Sequence, residues 1–288
     1  MRLLNPEVPP NTVQTTGLKA VVLDWAGTTV DFGSLAPART LQQLFGRAGI
    51  ELSEAEARRD MGLPKKDHID RILAIPRVRK AWESLRGHPP TAADLEEMYA
   101  AFIPLQFSCL AEYSTLIPGV VDAVKRFRAC GLKIGSTTGY TREMLDLLLE
   151  KSEQAGYKPD CSLAPSDVGA GRPLPFMIYQ IAATLQVYPL AAIAKVGDTP
   201  ADIEEGLNAG TWSIGVAGTG NSVGLSFEEF HALPASEQGD RLLRARRELE
   251  EAGAHYVVDT LADLDAVLDE IGARLKTNVR VRETQANA

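Results

Sequence analysis

Short apolar runs without polar alternation recur along the chain and predict the strands of a buried sheet. They lie at residues 19–24, 132–136, 193–197, 211–217 and 254–258. Continuous runs of this kind are typical of strands covered on both faces, as in a parallel sheet flanked by helices. Apolar residues at helical spacing fill most of the intervals between them. The alternation therefore predicts an α/β fold with a Rossmann-like parallel sheet as its core.

Capping residues mark the ends of the helices between these strands. Thr199 followed by Pro200 is typical of a helix start, and Gly210 is typical of a helix end. Similar patterns predict helices at residues 119–130, 141–155, 173–186 and 261–275. Each helix would cover a face of the sheet.

Residues 33–111 interrupt the alternation, because their apolar positions recur at helical spacing and indicate no strand. Ser53 begins a capping box whose helix is predicted to end at Gly62, and Thr91 begins a longer helix. The segment follows the first predicted strand directly. Ligands of open parallel sheets bind beyond the carboxyl ends of the strands, so an insert at this point is expected to cover the site as a lid.

We therefore predict two structural units. A Rossmann-like catalytic core comprises residues 1–32 and 112–288, and an all-helical cap, residues 33–111, is inserted after the first strand. Prolines break the N-terminal lead, residues 1–16, and no apolar run in the chain reaches the ~18 residues of a membrane span. We expect neither a secretory leader nor a membrane helix.

The charge balance narrows the partners that this chain can bind. It has 30 Lys and Arg against 38 Asp and Glu, a net charge of −8, and no long basic cluster. This removes the electrostatic basis for binding nucleic acid or an anionic membrane surface. The 3 cysteines lack metal-ligand spacing, which is typical of free thiols in a reducing compartment and predicts a cytoplasmic protein.

Polar residues follow several of the predicted strands and are expected to meet at one edge of the sheet. Asp24 closes the first strand, Thr138 follows the second, Asp198 follows the third, and Arg172 lies in a loop between them. Asp24 alone would be an ordinary turn aspartate. Together, two carboxylates, a hydroxyl and a fixed cation suit a phosphoryl group bound with Mg²⁺.

The segments DWAGTTVD, STTGYT, GRP and GDTPAD resemble, in order and at suitable spacing, the motifs of the haloacid dehalogenase superfamily. The resemblance spans nearly the whole chain and implies a haloacid dehalogenase-like core. It implies Asp24 as the nucleophile on phosphorus, through an aspartyl phosphate. It also implies Mg²⁺ held by Asp24, the backbone carbonyl of Ala26 and Asp198, with Thr138 and Arg172 on the substrate's anionic oxygens.

Asp202 has two interpretations in this motif. It either supports the metal site or merely completes a capping box with Thr199, three residues before it.

Position 26 separates this chain from most phosphatases of the superfamily. They carry an aspartate two residues after the nucleophile, which protonates the departing oxygen, whereas this chain has Ala26. A carbon leaving group instead needs its electron pair delocalised, and a protonated imine on a lysine does this. The lid segment MGLPKKDH, residues 61–68, resembles the lid loop of the phosphonatase branch, in which a lysine forms the Schiff base. That residue is Lys65 here, and residues 138–144 add to the resemblance.

Lys65 and Lys66 are nearly indistinguishable by sequence alone, and an exposed surface lysine is the ordinary interpretation of either. Family position favours Lys65, with Lys66 exposed or supporting the loop. At an ordinary pKa only about 0.04% of a lysine amine is neutral at pH 7, so the pKa of the reacting amine must be lowered. The family also implies that His68 and Tyr140 move protons and that Met61 lies near the lysine, although a packing role is the ordinary interpretation of Met61.

The resemblance implies a hydrolase that cleaves the carbon–phosphorus bond of phosphonoacetaldehyde to acetaldehyde and phosphate, in 2-aminoethylphosphonate degradation, as a homodimer. A phosphate-monoester phosphatase of the same superfamily is the first alternative, and Ala26 argues against it. The second alternative is a phosphate- or metal-binding relative without turnover.

Overall fold

The computed structural model describes the backbone of residues 17–286 and the side chains up to residue 276. The predicted lead at residues 1–16 and the polar tail after residue 276 lie outside the described side chains. A sheet of 6 strands forms the centre, in the order β3-β2-β1-β4-β5-β6, and all its neighbours pair in parallel. The strands are β1 (Ala20–Leu23), β2 (Lys133–Thr137), β3 (Cys161–Leu163), β4 (Ile193–Gly197), β5 (Trp212–Val216) and β6 (Tyr256–Val258).

This strand order places a topological switch point at β1. The chain runs outward from β1 through β2 to β3, then returns to β4 on the other side of β1. Ala20 pairs with Lys133 on one side and with Ile193 on the other. Ligands of open α/β sheets bind beyond the carboxyl ends of the strands at such a point. The predicted Rossmann-like α/β core is confirmed.

Five helices lie within residues 33–111, the segment between β1 and β2 that the sequence predicts as the cap. They are α1 (Leu35–Arg47), α2 (Glu54–Arg58), α3 (Lys65–Leu73), α4 (Pro76–Arg86) and α5 (Ala92–Leu110). The described residues of this insert contain no strand. One apolar cluster includes Leu23 of the sheet together with Phe45 and Ile69 of the insert, so the two parts share packing. The division into core and cap at residues 33 and 111 stays a prediction.

Eight further α-helices follow the insert in the described part of the chain. They are α6 (Val120–Ala129), α7 (Arg142–Gln154), α8 (Pro165–Val168), α9 (Phe176–Thr184), α10 (Pro200–Ala209), α11 (Phe227–Ala232), α12 (Ala235–Glu251) and α13 (Leu264–Ala286). Among them, α6, α9, α10 and α12 pack against the strands. The predicted ends of α10 agree with the structure, since Thr199 accepts from the Asp202 N–H and Gly210 is left-handed at φ 73°. Within residues 17–286, no helix combines the length and apolar content needed to cross a bilayer.

The structure differs from the sequence expectations at several elements. Strand β3 has only 3 residues, all half-buried, so it lacks the apolar run by which the other strands were recognised. The helix beginning after Ser53 ends at Arg58 rather than at Gly62, which lies in the turn before α3. The helix expected from residue 173 begins at Phe176. Helix α12 was not predicted, because only Ala245 and Leu249 of its residues are buried and its other positions are largely charged or exposed.

Candidate active site

Asp24 lies immediately after β1, at the switch point of the sheet. Its backbone N–H donates to the carbonyl of Val196 in β4 at 2.9 Å, which holds the residue against the neighbouring strand. The side chain is nearly buried, and Oδ1 accepts a hydrogen bond of 2.6 Å from Arg172 Nη2. The carboxylate is therefore fixed in orientation, with one oxygen paired to a cation.

Arg172 reaches the site from the loop between α8 and α9 and is 2% exposed. Its guanidinium makes ion pairs with Asp24 at 2.6 Å, Asp202 at 2.9 Å and Glu205 at 3.1 Å. Burial lowers the pKa of Arg172, but Asp202, Asp24 and Glu205 outweigh burial and raise this pKa above its ordinary value. The result is a permanent, rigid cation suited to hold an anion.

A buried ionic network beneath the site was missed by the sequence analysis. Lys195 Nζ donates to Asp202 Oδ1 at 2.6 Å and to Thr137 Oγ1 at 3.1 Å, and lies 3.4 Å from Glu205 Oε2. Thr137 also donates to Glu205 Oε2 at 2.9 Å. A signal existed, because a lysine inside the apolar run of β4 can be buried only with partners. Asp202 and Glu205, which both pair with Lys195, thereby hold the Arg172 guanidinium in place.

Two of the predicted metal ligands, Asp24 and Asp198, lie together with Asp202, and Ala26 lines the same pocket as Asp24. Ligand oxygens of Asp24, Asp198 and Asp202 all lie within 4.8 Å of one another, and all three side chains are buried. Asp198 accepts from Thr28 Oγ1 at 3.1 Å and from the Asn221 N–H at 2.7 Å. Burial, followed by the charges of Asp24 and Asp202, raises the pKa of Asp198 well above its ordinary value. A divalent cation bound by oxygen ligands would relieve this repulsion.

Asp202 differs from the other two members of this cluster. Lys195 and Arg172 pair with its Oδ1, and Thr199 Oγ1 donates to its Oδ2 at 2.6 Å. Burial raises the pKa of Asp202, but Arg172 and Lys195 outweigh burial and lower it. Because its charge is already compensated and it also completes the capping box of α10, it fits a supporting position better than direct ligation.

The two adjacent lysines have different surroundings. Lys65, the first residue of α3, is 5% exposed and lines the same pocket as Asp24. Its Nζ lies 3.9 Å from Met61 Sδ and 5.1 Å from the centroid of the Tyr140 ring. Lys66 points outward and pairs with Glu96. The structure therefore brings Lys65, and not Lys66, to the carboxyl edge of the sheet.

Burial lowers the pKa of Lys65 to about 8, while the nearby Asp24 carboxylate opposes this shift. At pH 7 an amine with this pKa is neutral in about 10% of molecules, far more than an exposed lysine. His68 lies one turn further along α3 and is fully buried; burial, followed by the charge of Lys65, lowers its pKa to about 3. A pKa this low makes His68 a weak base, so the predicted movement of protons through it stays a prediction.

Thr138 and Tyr140 follow β2 and complete the pocket. Thr138 is 2% exposed, and its Oγ1 accepts from the Tyr140 N–H at 3.1 Å. The Tyr140 hydroxyl is buried and has no hydrogen-bond partner among the described residues. Burial raises the pKa of this hydroxyl well above its ordinary value, so it stays protonated. Because Tyr140 lines the pocket, its unpaired hydroxyl is a group available to a bound ligand.

The lid segment packs directly on the loops of the core. A Cβ at Gly62 would clash with Thr199 Oγ1, and Gly62 is left-handed at φ 91°. A Cβ at Gly139 would lie 2.5 Å from the carbonyl oxygen of Leu63. A side chain would not fit at either position, because Gly62 lies against the Thr199 side chain and Gly139 lies against the backbone of residues 62–63. The pocket beside them is small, with about 270 Å³ of space that includes open solvent at its mouth, and Ser34 also lines it.

Comparisons with known proteins agree with this fold and site. A family model described as haloacid dehalogenase-like hydrolase matches residues 18–210. β-Phosphoglucomutase from Clostridium difficile shares the fold, with a TM-score of 0.63 at 17% identity, and covers 89% of this chain and 98% of its own. The family model thus defines the class, the haloacid dehalogenase-like hydrolases, and the strand order and the carboxylates at the sheet edge agree with it.

More similar relatives define the family. A phosphonoacetaldehyde hydrolase from Syntrophobacter fumaroxidans is 45% identical over 91% of this chain and 94% of that protein. Another from Bacillus cytotoxicus is 44% identical over 88% of this chain and 96% of that protein. A crystal structure of a phosphonoacetaldehyde hydrolase-like protein from Oleispira antarctica has a TM-score of 0.90 at 41% identity, covering 92% and 96% of the two chains.

The chain belongs to the haloacid dehalogenase-like hydrolases and, within that class, to the phosphonoacetaldehyde hydrolase family. The resemblance stated from the motifs is thereby confirmed. The roles of the individual residues remain predictions.

Proposed function

We propose that this chain hydrolyses the carbon–phosphorus bond of phosphonoacetaldehyde to acetaldehyde and phosphate, as a step in 2-aminoethylphosphonate breakdown. The observation that carries the proposal is Lys65, a buried amine with a pKa lowered to about 8 in the pocket that also holds Asp24. Position 26 of the same pocket is Ala26, which cannot protonate a leaving oxygen. The curated relatives at 45% and 44% identity carry the name of this activity.

Substrate binding uses the two fixed anion-binding groups. Arg172, whose guanidinium is also paired with Asp24, Asp202 and Glu205, places its positive charge beside the phosphonate oxygens, and the Thr138 hydroxyl donates to another oxygen. Both side chains are nearly fully buried, so the anion exchanges water for fixed donors. The small pocket admits a substrate of few heavy atoms and places its aldehyde toward the insert, where Lys65 lies.

The lysine then activates the carbon. The neutral Lys65 amine adds to the aldehyde carbon, and the resulting carbinolamine loses water to give a protonated imine. The protonated Tyr140 hydroxyl can donate a proton in this exchange, and His68, whose low pKa makes it a weak base, would hold a proton only transiently. The protonated imine can now accept the electron pair of the adjacent carbon–phosphorus bond.

Cleavage of the carbon–phosphorus bond follows. An oxygen of Asp24 attacks phosphorus, the carbon–phosphorus electron pair moves into the imine to give an enamine, and the phosphoryl group becomes attached to Asp24. Water then attacks phosphorus, releasing phosphate and restoring Asp24. The enamine is protonated at carbon and hydrolysed to acetaldehyde and free Lys65, so the sum of the steps consumes one water.

Asp24, the backbone carbonyl of Ala26 and Asp198 would hold Mg²⁺, consistent with the buried carboxylate cluster and its charge repulsion. When bound, the ion neutralises carboxylate and phosphonate oxygens that would otherwise repel each other. Asp202 and Lys195 would keep the surrounding oxygens in place through their own ion pair.

Trapping with borohydride tests the proposal. Incubation with phosphonoacetaldehyde and borohydride should add a reduced two-carbon adduct to the peptide containing Lys65. The matched variants are Lys65→Arg, which should lose both adduct and turnover, and Lys66→Arg, which should keep both. An adduct on Lys66, or undiminished cleavage by Lys65→Arg, would refute the lysine assignment. Hydrolysis of phosphate monoesters without any adduct would favour the alternative phosphatase, and absence of any turnover would favour the non-catalytic relative.

We infer further that two copies associate through the outer face around α9. Four exposed apolar or aromatic side chains lie on α9 or near it in the chain, at Leu174 (46% exposed), Phe176 (45%), Tyr179 (41%) and Tyr188 (66%). Tyr179 and Tyr188 line one apolar groove, and exposed apolar surface of this kind marks interfaces. Sedimentation should give a dimer for the wild type and a monomer for the double variant Tyr188→Glu, Phe176→Glu. A monomeric wild type would contradict the inference.

The cytoplasmic location, which the three free thiols support, stays a prediction.

A further inference from the structure

Arg58, at the end of α2, joins the insert to the core. Its Nη1 donates to the carbonyls of Gly33 at 2.8 Å and Ser34 at 3.2 Å, where the chain leaves the core for α1. The same nitrogen donates to the backbone and side-chain oxygens of Asn221, both at 3.1 Å, and Nη2 reaches the Gly224 carbonyl at 3.4 Å. The side chain is 11% exposed, so water competes little for these acceptors.

Asn221 connects this cluster to the carboxylate edge. Its backbone N–H donates to Asp198 Oδ2 at 2.7 Å, and its side-chain amide donates to the Arg58 carbonyl at 3.2 Å. Asn221 is 4% exposed and thus held on both sides. A displacement of α2 away from the core would break the Arg58 bonds and release one side of the residue that holds Asp198.

The position of α2 also determines the position of the lysine. Only residues 59–64 separate the end of α2 from Lys65. Within this link, Gly62 packs on Thr199 and the carbonyl of Leu63 packs on the core. Because this link is short and is itself packed on the core, a movement of α2 would disturb it, so the contacts of Arg58 bear directly on the position of Lys65 in its pocket.

We propose that Arg58 is a positioning residue that latches the insert over the core and keeps Lys65 against the substrate. The inference rests on the lysine chemistry proposed above but concerns a side chain outside the pocket. A guanidinium suits this task because its planar fork serves several acceptors at once in a fixed geometry, whereas an ammonium is a compact point charge.

Arg58→Ala, Arg58→Lys and Arg59→Ala form the test set. Arg59 is the matched control, since it is 56% exposed and pairs with its neighbour Asp60. Arg58→Ala should lower kcat/KM and the rate of borohydride trapping at Lys65 roughly 30-fold, as expected for loss of buried charge-assisted hydrogen bonds. Arg59→Ala should stay within about twofold of the wild type. Guanidinium ion at tens of millimolar should partly restore Arg58→Ala and leave Arg59→Ala unchanged.

Deuterium exchange separates failure of the latch from failure of the proposed function. Amides of residues 59–65 should exchange faster in Arg58→Ala than in Arg59→Ala, whatever the substrate. Absence of a Lys65 adduct in the wild type, with this difference intact, would count against the lysine chemistry alone. The latch is overturned if folded Arg58→Ala matches Arg59→Ala in trapping and kcat/KM, or if guanidinium restores nothing. Should Arg58→Ala fail to fold, Arg58→Lys takes its place in the test. Deuterium exchange and borohydride trapping at wild-type rates in Arg58→Lys would then overturn the latch equally.

Discussion

Lys65 should destabilise the folded protein at neutral pH, because its charged form is buried. Its pKa falls from an ordinary value of 10.5 to about 8, chiefly through burial. At about 1.4 kcal/mol per pH unit, that difference corresponds to roughly 3 kcal/mol of folding free energy. Lys65→Met, which fills similar space without a charge, should therefore increase the free energy of unfolding by up to about 3 kcal/mol at pH 7 while abolishing turnover.

The pH dependence of this gain has a defined sign. Between pH 8 and pH 10.5 the unfolded chain binds the Lys65 proton and the folded protein does not, so wild-type stability rises with pH across this window. The advantage of Lys65→Met should be complete below pH 8 and vanish as the pH approaches 10.5. A functional group kept at a cost in stability is common at enzyme sites.

Urea unfolding at pH 7, 8, 9 and 10, followed by circular dichroism, measures this difference. Lys66→Met is the matched control, since Lys66 pairs with Glu96 at the surface and its replacement should change stability by no more than about 0.5 kcal/mol at any pH. If Lys65→Met were less stable than the wild type at pH 7, or if its advantage did not shrink toward pH 10, the burial argument for a reactive amine would be refuted.

Two further perturbations test the surroundings of the site. Glu205→Gln removes one charge from the buried network with Arg172 and Lys195 and should lower the free energy of unfolding in urea by about 3–5 kcal/mol. A loss below about 1 kcal/mol would contradict a stabilising role of the network. Gly62→Ala places a Cβ against Thr199 at a left-handed backbone position and should lower kcat/KM at least tenfold in steady-state kinetics. Gly46→Ala is the control and should have little effect, because the space around Gly46 is open. Equal kcat/KM in the two variants would refute the close approach of the lid to the core.

Much of the core could be predicted from local sequence. The apolar runs of β1, β2, β4, β5 and β6 are long enough to be recognised, and Thr199 with Gly210 marks the ends of α10 because capping depends on neighbouring residues alone. Strand β3 could not be predicted in this way. It has 3 half-buried residues and owes its place to pairing with β2, which is a tertiary contact.

The residues of the site also divide into those that local sequence predicts and those that only tertiary contacts bring together. Asp24, Thr138 and Asp198 were found because parallel strands bring their carboxyl ends to one edge, a rule that depends only on strand order. Glu205 sits in mid-helix with no local signal for its role. Its pairing with Arg172 and Lys195 joins a helix, a loop between two helices and a strand. Such pairs are set by packing rather than by spacing along the chain.

The sequence by itself determined the α/β class, the polar edge and the absence of an acid at position 26, because these depend on local pattern and residue identity. Family position favoured Lys65 over Lys66, but only the tertiary structure shows the physical difference between them. The two residues are identical and adjacent, but the start of α3 turns one side chain into the pocket and the other toward Glu96 at the surface. Removal from water then lowers the pKa of one lysine to about 8. Burial is a property of the packed chain, and no spacing of residues specifies it.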